Sequence, residues 1–243
     1  MKSTKAFNKK YFKKLSKGFI ILLVVFAGSV FLFIYLIHEV LWEKEEAVDN
    51  YILNFLSASI INSHLTIFMK SITYLASATF LKIAYAALVL TYLLKKNWKR
   101  AVEIAVIGIG GFIVNYFMKL FFHRVRPPHP LIDPLRNFSF PSGHATSAII
   151  FYGLLAYLIW KTGIPKPLKY LLGSLLLLFA ILIGFSRIYL RLHYPSDVLA
   201  GFCIGFAWLS LTVWLFWKLK KRSDHELKQK EANPLLNVPP EIN

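Results

Sequence analysis

Six cationic side chains and four histidines fall within one stretch of this chain, with almost no acid to balance them. Lys119, Arg124, Arg126, Arg136, Arg187 and Arg191 accompany His123, His129, His144 and His193, and between residues 104 and 223 the only carboxylates are Asp133 and Asp197. A cluster rich in Arg, Lys and His but poor in carboxylate attracts an anion and lacks the ligands of a two-metal hydrolase. The expected ligand is a phosphate group. The spacing narrows this to particular residues. Lys119 and Arg126 are seven residues apart, two helical turns, and face the same way if one helix runs through Arg126. Pro127 and Pro128 would then end that helix. Pro141-Ser142-Gly143-His144 opens an apolar run; Gly143 allows close backbone approach, Ser142 suits an N-cap, and free N–H groups at a helix start suit a phosphate. Ser186-Arg187 closes another apolar run. His193 and Asp197 straddle Pro195, itself well placed near a helix start, so one turn can bring imidazole and carboxylate together.

The elements that must position these residues are membrane spans. Of the 243 residues 56% are hydrophobic and 17% charged, against about 25% charged in a soluble domain. That is too little charge for a surface that faces water all round. Cys203, the single cysteine, excludes an intrachain disulfide framework and a Cys-based zinc site. A span takes about 20 apolar residues. Phe19–Ile37 is a charge-free run after a lysine-rich segment; it exceeds the roughly 7–15 residues of a signal-peptide core and no small-x-small cleavage site follows, so a retained signal anchor is expected. Further spans are expected over about 102–121, 143–160, 168–185 and 197–217, and one ending at Leu94. The last of these begins between Ser71 and Phe80. If it began near Ser71, Lys82 would sit near mid-depth at a cost of roughly 2.5–3.5 kcal/mol. The favoured reading is a break at Ala76-Ser77-Ala78, which leaves Lys82 one turn below the surface and residues 50–75 as an interfacial helix.

The net charge of +17 raises the question of nucleic acid, and its distribution answers it. Most basic residues lie in segments 1–18, 95–100, 161–169 and 218–243, which alternate with apolar runs, whereas the loop 38–66 carries Glu39, Glu43, Glu45, Glu46 and Asp49 against Lys44. Basic loops are retained on the cytoplasmic side. The expected architecture is therefore all-α and integral to the membrane: six transmembrane helices, both termini cytoplasmic, and the cationic cluster at the outward-facing ends of spans 3 to 6. Residues 1–18 form a basic cytoplasmic segment, 19–218 the six-span domain, and 219–243 a polar cytoplasmic tail. Positive charge on the outward face runs against the topology bias, so a bound anion must favour it.

Lys119 with Arg126-Pro127, then Pro141-Ser142-Gly143-His144, then Ser186-Arg187 with His193 and Asp197, resembles the three-part signature of the type 2 phosphatidic acid phosphatase (PAP2) family, every position in order and at the family's spacing. The resemblance extends from about Phe80 to Trp217. It implies a membrane-bound lipid phosphatase needing no metal and no cofactor. His193 would be the nucleophile, forming a phosphohistidine, with Asp197 fixing its tautomer. His144 would be the general acid and then the base for water. Lys119, Arg126, Arg187, Ser142 and Gly143 would hold the phosphoryl oxygens. The implied substrates are phosphatidylglycerophosphate, phosphatidic and lysophosphatidic acids, and polyprenyl diphosphates such as the undecaprenyl carrier, met at the outer leaflet of a bacterial cytoplasmic membrane. A phosphotransferase using the same intermediate is the alternative; a non-catalytic anionic-lipid transporter fits less well, and the haloperoxidases that share the signature are soluble. The expected partners are a phosphorylated lipid and the bilayer, not nucleic acid, and no oligomeric state follows. Arg124, Arg136 and Arg191 are expected as rim or headgroup contacts, His123 and His129 as bystanders, Asp133 as a loop residue and Cys203 as packing.

Overall fold

The computed structural model describes residues 17–44, 46–133 and 137–232. The basic segment before residue 17, Arg136 and the end of the polar tail lie outside them. All regular structure among the described residues is helical: α1 Lys17–Ile37, prolonged by a π-helical turn His38–Trp42, then α2 Ala47–Ser59, α3 Ser63–Tyr74, α4 Ala78–Leu94, α5 Trp98–Phe122, α6 Gly143–Trp160, α7 Lys166–Tyr189 and α8 Pro195–Ala232. Five segments are long and apolar enough to cross a bilayer: Gly18–Trp42, Trp98–Phe122, Gly143–Trp160, Lys166–Tyr189 and Pro195–Ser223. The pair α3 and α4 passes the same test together but is bent by 42°. The protein is thus an all-α, multi-pass membrane protein with five to six long apolar helices. Their outer faces stay apolar, with Phe31, Ile83, Ile109 and Leu178 exposed. Helices apolar all round suit lipid.

Local sequence sets the boundaries. Ser77 Oγ accepts the Phe80 N–H at 3.2 Å, so α4 starts at Ala78 and Lys82 stands exposed one turn into it. The stretch expected as one interfacial helix is two, because Asn62 Oδ1 accepts the Leu65 N–H at 2.9 Å and starts α3 afresh. A competent N-cap offers the chain a new helix start where the preceding one ends. Asn97 caps α5 in the same way, accepting from Arg100 at 3.1 Å.

Helix α6 occupies the centre, packed on α5, α7 and α8, with Ala148, Ile149, Ile150 and Leu154 almost wholly buried. It approaches α8 so closely that a Cβ on Gly201 would stand 2.7 Å from the Ser142 carbonyl oxygen. Helix α1 lies along α8: the Phe19 and Trp217 rings meet at one end, and Leu36 packs with Phe140, Ala200 and Cys203 at the other. Tyr157 Oη donates to Glu103 Oε1 at 2.9 Å, tying the end of α6 to the start of α5. The start of α1, the α4–α5 and α6–α7 turns and the far half of α8 therefore share one end of the bundle. The ends of α5 and α7 and the starts of α6 and α8 share the other.

Candidate active site

Helix α5 stops at Phe122, because His123 adopts a left-handed conformation with φ 51°. Lys119 and Arg126 therefore do not share one continuous helix, as their spacing had suggested. A residue before proline is pushed towards extended backbone, and Arg126 precedes Pro127. The two cations meet by another route. Lys119, one turn before the helix end, donates to the Phe138 carbonyl at 2.7 Å. Arg126 folds back to donate to the Asn137 carbonyl at 2.9 Å and the Leu192 carbonyl at 2.6 Å.

Ser142 is fully buried as the N-cap of α6, its Oγ 3.5 Å from the Ala145 nitrogen, and its own N–H donates to the Asp197 carbonyl at 2.9 Å. Lys119, Arg126, Gly143, His144 and His193 all line one cavity of about 220 Å³, together with Asn115 and Asn137 and, on its apolar side, Ala76, Ala78, Phe112 and Tyr116. Gly143 leaves room here: a Cβ would stand 3.0 Å from Asn115 Oδ1 and press that side chain aside. Arg187, 2% exposed at the end of α7, donates to Thr73 Oγ1 at 3.0 Å, and its Nε has no hydrogen-bond partner among the described residues. A buried donor without an acceptor is costly unless something else supplies one.

The nucleophile candidate is held on both sides. His193 is 1% exposed, and Arg126 Nη1 stands 3.2 Å from its Nε2. A guanidinium only donates, so Nε2 carries the lone pair and Nδ1 the proton. Nδ1 then donates to Ser139 Oγ at 3.2 Å, and Ser139 passes its own hydrogen to Asp197 Oδ2 in a short bond. Asp197 Oδ2 lies 3.5 Å from Nδ1 directly, so the expected contact between imidazole and carboxylate runs mainly through a serine. Burial, and then the charges of Arg126, Arg187 and Lys119, push the His193 imidazolium pKa well below its ordinary value. The ring is neutral at physiological pH, as an attacking nitrogen requires.

Asp197 is fully buried and receives two further donors, the Tyr194 N–H at 2.9 Å and Arg124 Nη1 at 2.7 Å. Arg124 is no rim residue. It is 7% exposed and bonded to Ser196 Oγ and Asp49 Oδ2, with its guanidinium 4.2 Å from the Tyr194 ring centre. Residues 123–127 carry no regular structure, so no periodicity in the sequence fixes which way Arg124 and Arg126 face. Sequence reasoning also missed Ser139, Asn115, Asn137 and Asp49. No spacing rule connects Asp49 to Arg124, whereas Ser139, two residues before the Pro141 motif, carried a positional hint. Arg191 stays partly exposed, donating to the Pro128 carbonyl at 3.2 Å. His123, His129 and Asp133 are exposed and do not line the cavity, and Cys203 is buried in packing.

Comparison with known proteins shows the family. Residues 100–221 match the PAP2 superfamily. Phosphatidylglycerophosphatase B of Bacillus subtilis (strain 168) is 31% identical over 169 residues, 66% of this chain and 76% of that protein. Undecaprenyl-diphosphatase BcrC of the same organism is 32% identical over 131 residues, 51% of this chain and 63% of that one. The crystal structure of the first transmembrane PAP2-type phosphatidylglycerolphosphate phosphatase from Bacillus subtilis superposes with a TM-score of 0.72 at 26% identity, covering 80% of this chain and 97% of that one. The chain belongs to the PAP2 superfamily, in its membrane-bound lipid phosphatase branch, and is a phosphatase-type hydrolase.

Proposed function

We propose that the protein hydrolyses phosphate monoesters or diphosphates of membrane lipids through a phosphohistidine on His193, without a metal ion. The observation that carries this is the pairing of His193 Nε2, lone pair free of its proton, with Arg126 and Lys119 at one cavity while Asp197 and Ser139 hold the opposite nitrogen. The incoming phosphoryl oxygens meet the N–H groups of Arg126, Lys119 and the backbone at Gly143, which line the cavity. Arg187, with its orphan Nε, and Ser142 are buried and not among the lining residues; the family signature assigns them to the same cradle. The Nε2 lone pair attacks phosphorus, the bond from phosphorus to the lipid oxygen breaks, and His144, holding a proton once the anionic phosphoryl group is bound beside it, gives that oxygen the proton. His144, now neutral, takes a proton from water as the water attacks phosphorus. The P–N bond breaks, phosphate leaves, and His193 is neutral again. Each donor to the phosphoryl oxygens contributes roughly 2.7–4 kcal/mol at the transition state. The metal-free reading rests on the donor set: no carboxylate lines the cavity among the described residues, and Asp197 is committed to Arg124, Ser139 and Tyr194.

The six-span topology, with both termini cytoplasmic and the site opening at the outer leaflet of a cytoplasmic membrane, is supported by the placement of charge. Lys95, Lys96, Lys99 and Arg100, and Lys161, Lys166 and Lys169, lie at the bundle end opposite the cavity. The positive-inside bias puts that end in the cytoplasm. The apolar side of the cavity, at Ala76, Ala78, Phe112 and Tyr116, suits a lipid whose headgroup alone leaves the bilayer. The relatives' names make phosphatidylglycerophosphate and undecaprenyl diphosphate the first substrates to test, followed by phosphatidic acid.

The test is phosphate release by detergent-purified protein in EDTA, beside His193→Ala. Release that persists in EDTA and is lost in the variant supports the mechanism, and kcat/KM ratios rank the lipids. Dependence on added metal, or full activity in the variant, overturns it. Transfer to an added lipid or sugar acceptor in place of water makes the protein a phosphotransferase.

A further inference from the structure

Arg124 and Asp49 take no part in the reaction as described, yet they are built into the site from behind. Asp197 Oδ1 accepts Arg124 Nη1 at 2.7 Å; Arg124 Nη2 donates to Asp49 Oδ2 at 2.9 Å; and Asp49 Oδ1 accepts the Ser196 N–H at 2.9 Å, with the Ser196 hydroxyl closing the ring onto Asp49 Oδ2. Every member is below 8% exposed, and the Tyr194 ring covers the guanidinium. Glu46 adds a carboxylate oxygen 3.6 Å from Nη2. Burial opposes the charge on Arg124, and Asp197 and Asp49 beside it more than restore it, so its pKa is raised. Asp49 belongs to α2, outside the residues that match the family.

We infer that Arg124, anchored by Asp49, is a positioning residue that aims Asp197 at Ser139 and His193, so that α2 contributes to the rate of phosphoryl transfer without touching substrate. The geometry favours this over a merely structural tie. Asp197 has two oxygens, and Arg124 fixes one so that the other can only face Ser139 Oγ, the Tyr194 N–H and the imidazole. Without the guanidinium the carboxylate can turn about its bond, and the Nδ1 proton loses its fixed acceptor chain. Asp49 in turn stops the guanidinium from rotating, because its two oxygens are shared between Arg124 and Ser196. The inference rests on His193 being the nucleophile.

The experiment uses the full-length protein in detergent and reads the single-turnover rate constant, which does not depend on the fraction of protein correctly folded. Inorganic phosphate as a competitive inhibitor reads the phosphoryl cradle separately. Truncating one partner of a buried pair can unfold the chain, so Arg124→Met is accompanied by Arg124→Lys and Asp49→Asn, each checked by thermal melting. The expected result is a rate constant lowered about 10-fold in Asp49→Asn and about 10–100-fold in Arg124→Lys, the scale of losses from supporting-shell changes. The phosphate inhibition constant should stay within about twofold, because neither residue meets phosphate. Adding Asp49→Asn to Arg124→Met should lower the rate no further. An inactive His193→Ala beside full-speed Asp49→Asn and Arg124→Lys overturns this inference alone. Full activity in His193→Ala overturns the nucleophile and this inference with it.

Discussion

Placing a methyl group at Gly201 tests whether His144 and His193, the histidines proposed to react, are held by the packing of α6 on α8. The added Cβ would stand 2.7 Å from the Ser142 carbonyl oxygen, 3.0 Å from Ala145 Cβ and 3.2 Å from the Thr146 nitrogen. A carbon–oxygen contact is comfortable at about 3.3 Å, so roughly 0.6 Å must open between the start of α6 and α8. The Ser142 N–H to Asp197 carbonyl bond, 2.9 Å, spans that same gap and would stretch past useful length. The atom in the way is backbone, so no side chain can swing clear. Overpacking of this kind costs roughly 1–3 kcal/mol, and alanine's better helix propensity returns only about 0.8–1.0 kcal/mol. The larger effect is on rate. His144 rides on α6 while His193 and Asp197 ride on α8 and the loop before it, and a misplacement near 1 Å can cost about 100-fold. Gly201→Ala is expected to lower kcat about 10-fold or more, with a modest fall in Tm. The control is Gly173→Ala on α7, where an added Cβ meets nothing within 4 Å and activity should be unchanged. Wild-type kcat and Tm in detergent-solubilised Gly201→Ala would refute the claim that this close approach sets the site.

Two further outcomes are expected. Ser139→Ala removes the hydroxyl between His193 and Asp197; a hydrogen bond to a charged group contributes roughly 1.5–3 kcal/mol, so kcat should fall about 10–150-fold with KM little changed, and an equal loss in both would argue against a transition-state role. His193 is buried neutral with its pKa well below the usual value, whereas in the unfolded chain it takes up a proton near pH 6.5. The unfolded state therefore binds more protons below that pH, and the stability contribution, complete above pH 6.5, is lost as pH falls through it by up to about 1.4 kcal/mol per pH unit. Thermal melts from pH 7.5 to 5 should show this slope in the wild type and a shallower one in His193→Asn; identical slopes would assign it elsewhere.

The spans were legible because each is a long apolar run whose ends carry capping or charged residues, and Ser77 marked the start of α4 where Ala76-Ser77-Ala78 suggested a break. The cavity was legible because Lys119, Arg126, His144 and His193 are residue types that an apolar helix end does not otherwise favour. What escaped was the route and the support. Lys119 and Arg126 do converge, but through a left-handed turn at His123 and not along one helix, since propensity alone does not announce where α5 stops. Ser139 stood two residues before the Pro141 motif, but nothing in the sequence tied it to His193, 54 positions away. Arg124 and Asp49 are 75 positions apart, and a charge pair closed by tertiary folding leaves no period in the sequence for either member to betray.

Arg187 and Tyr189 tie the end of α7 to α3: Arg187 holds Thr73 Oγ1, and the Tyr189 hydroxyl accepts the Asn62 N–H at 3.1 Å and lies 3.1 Å from both the Asn62 carbonyl and Thr66 Oγ1. Thr73 and Asn62, like Asp49, precede residues 100–221, which match the family. The front of the chain is thus a fitted counterpart of the half that carries the candidate site and not an interchangeable cover. A chimaera that joins the front of a relative to residues 100–243 of this protein would inherit every motif, yet it would keep partners for Arg124 and Arg187 only where that front supplies equivalents of Asp49 and Thr73. Exchange between family members should succeed only when those partners travel together.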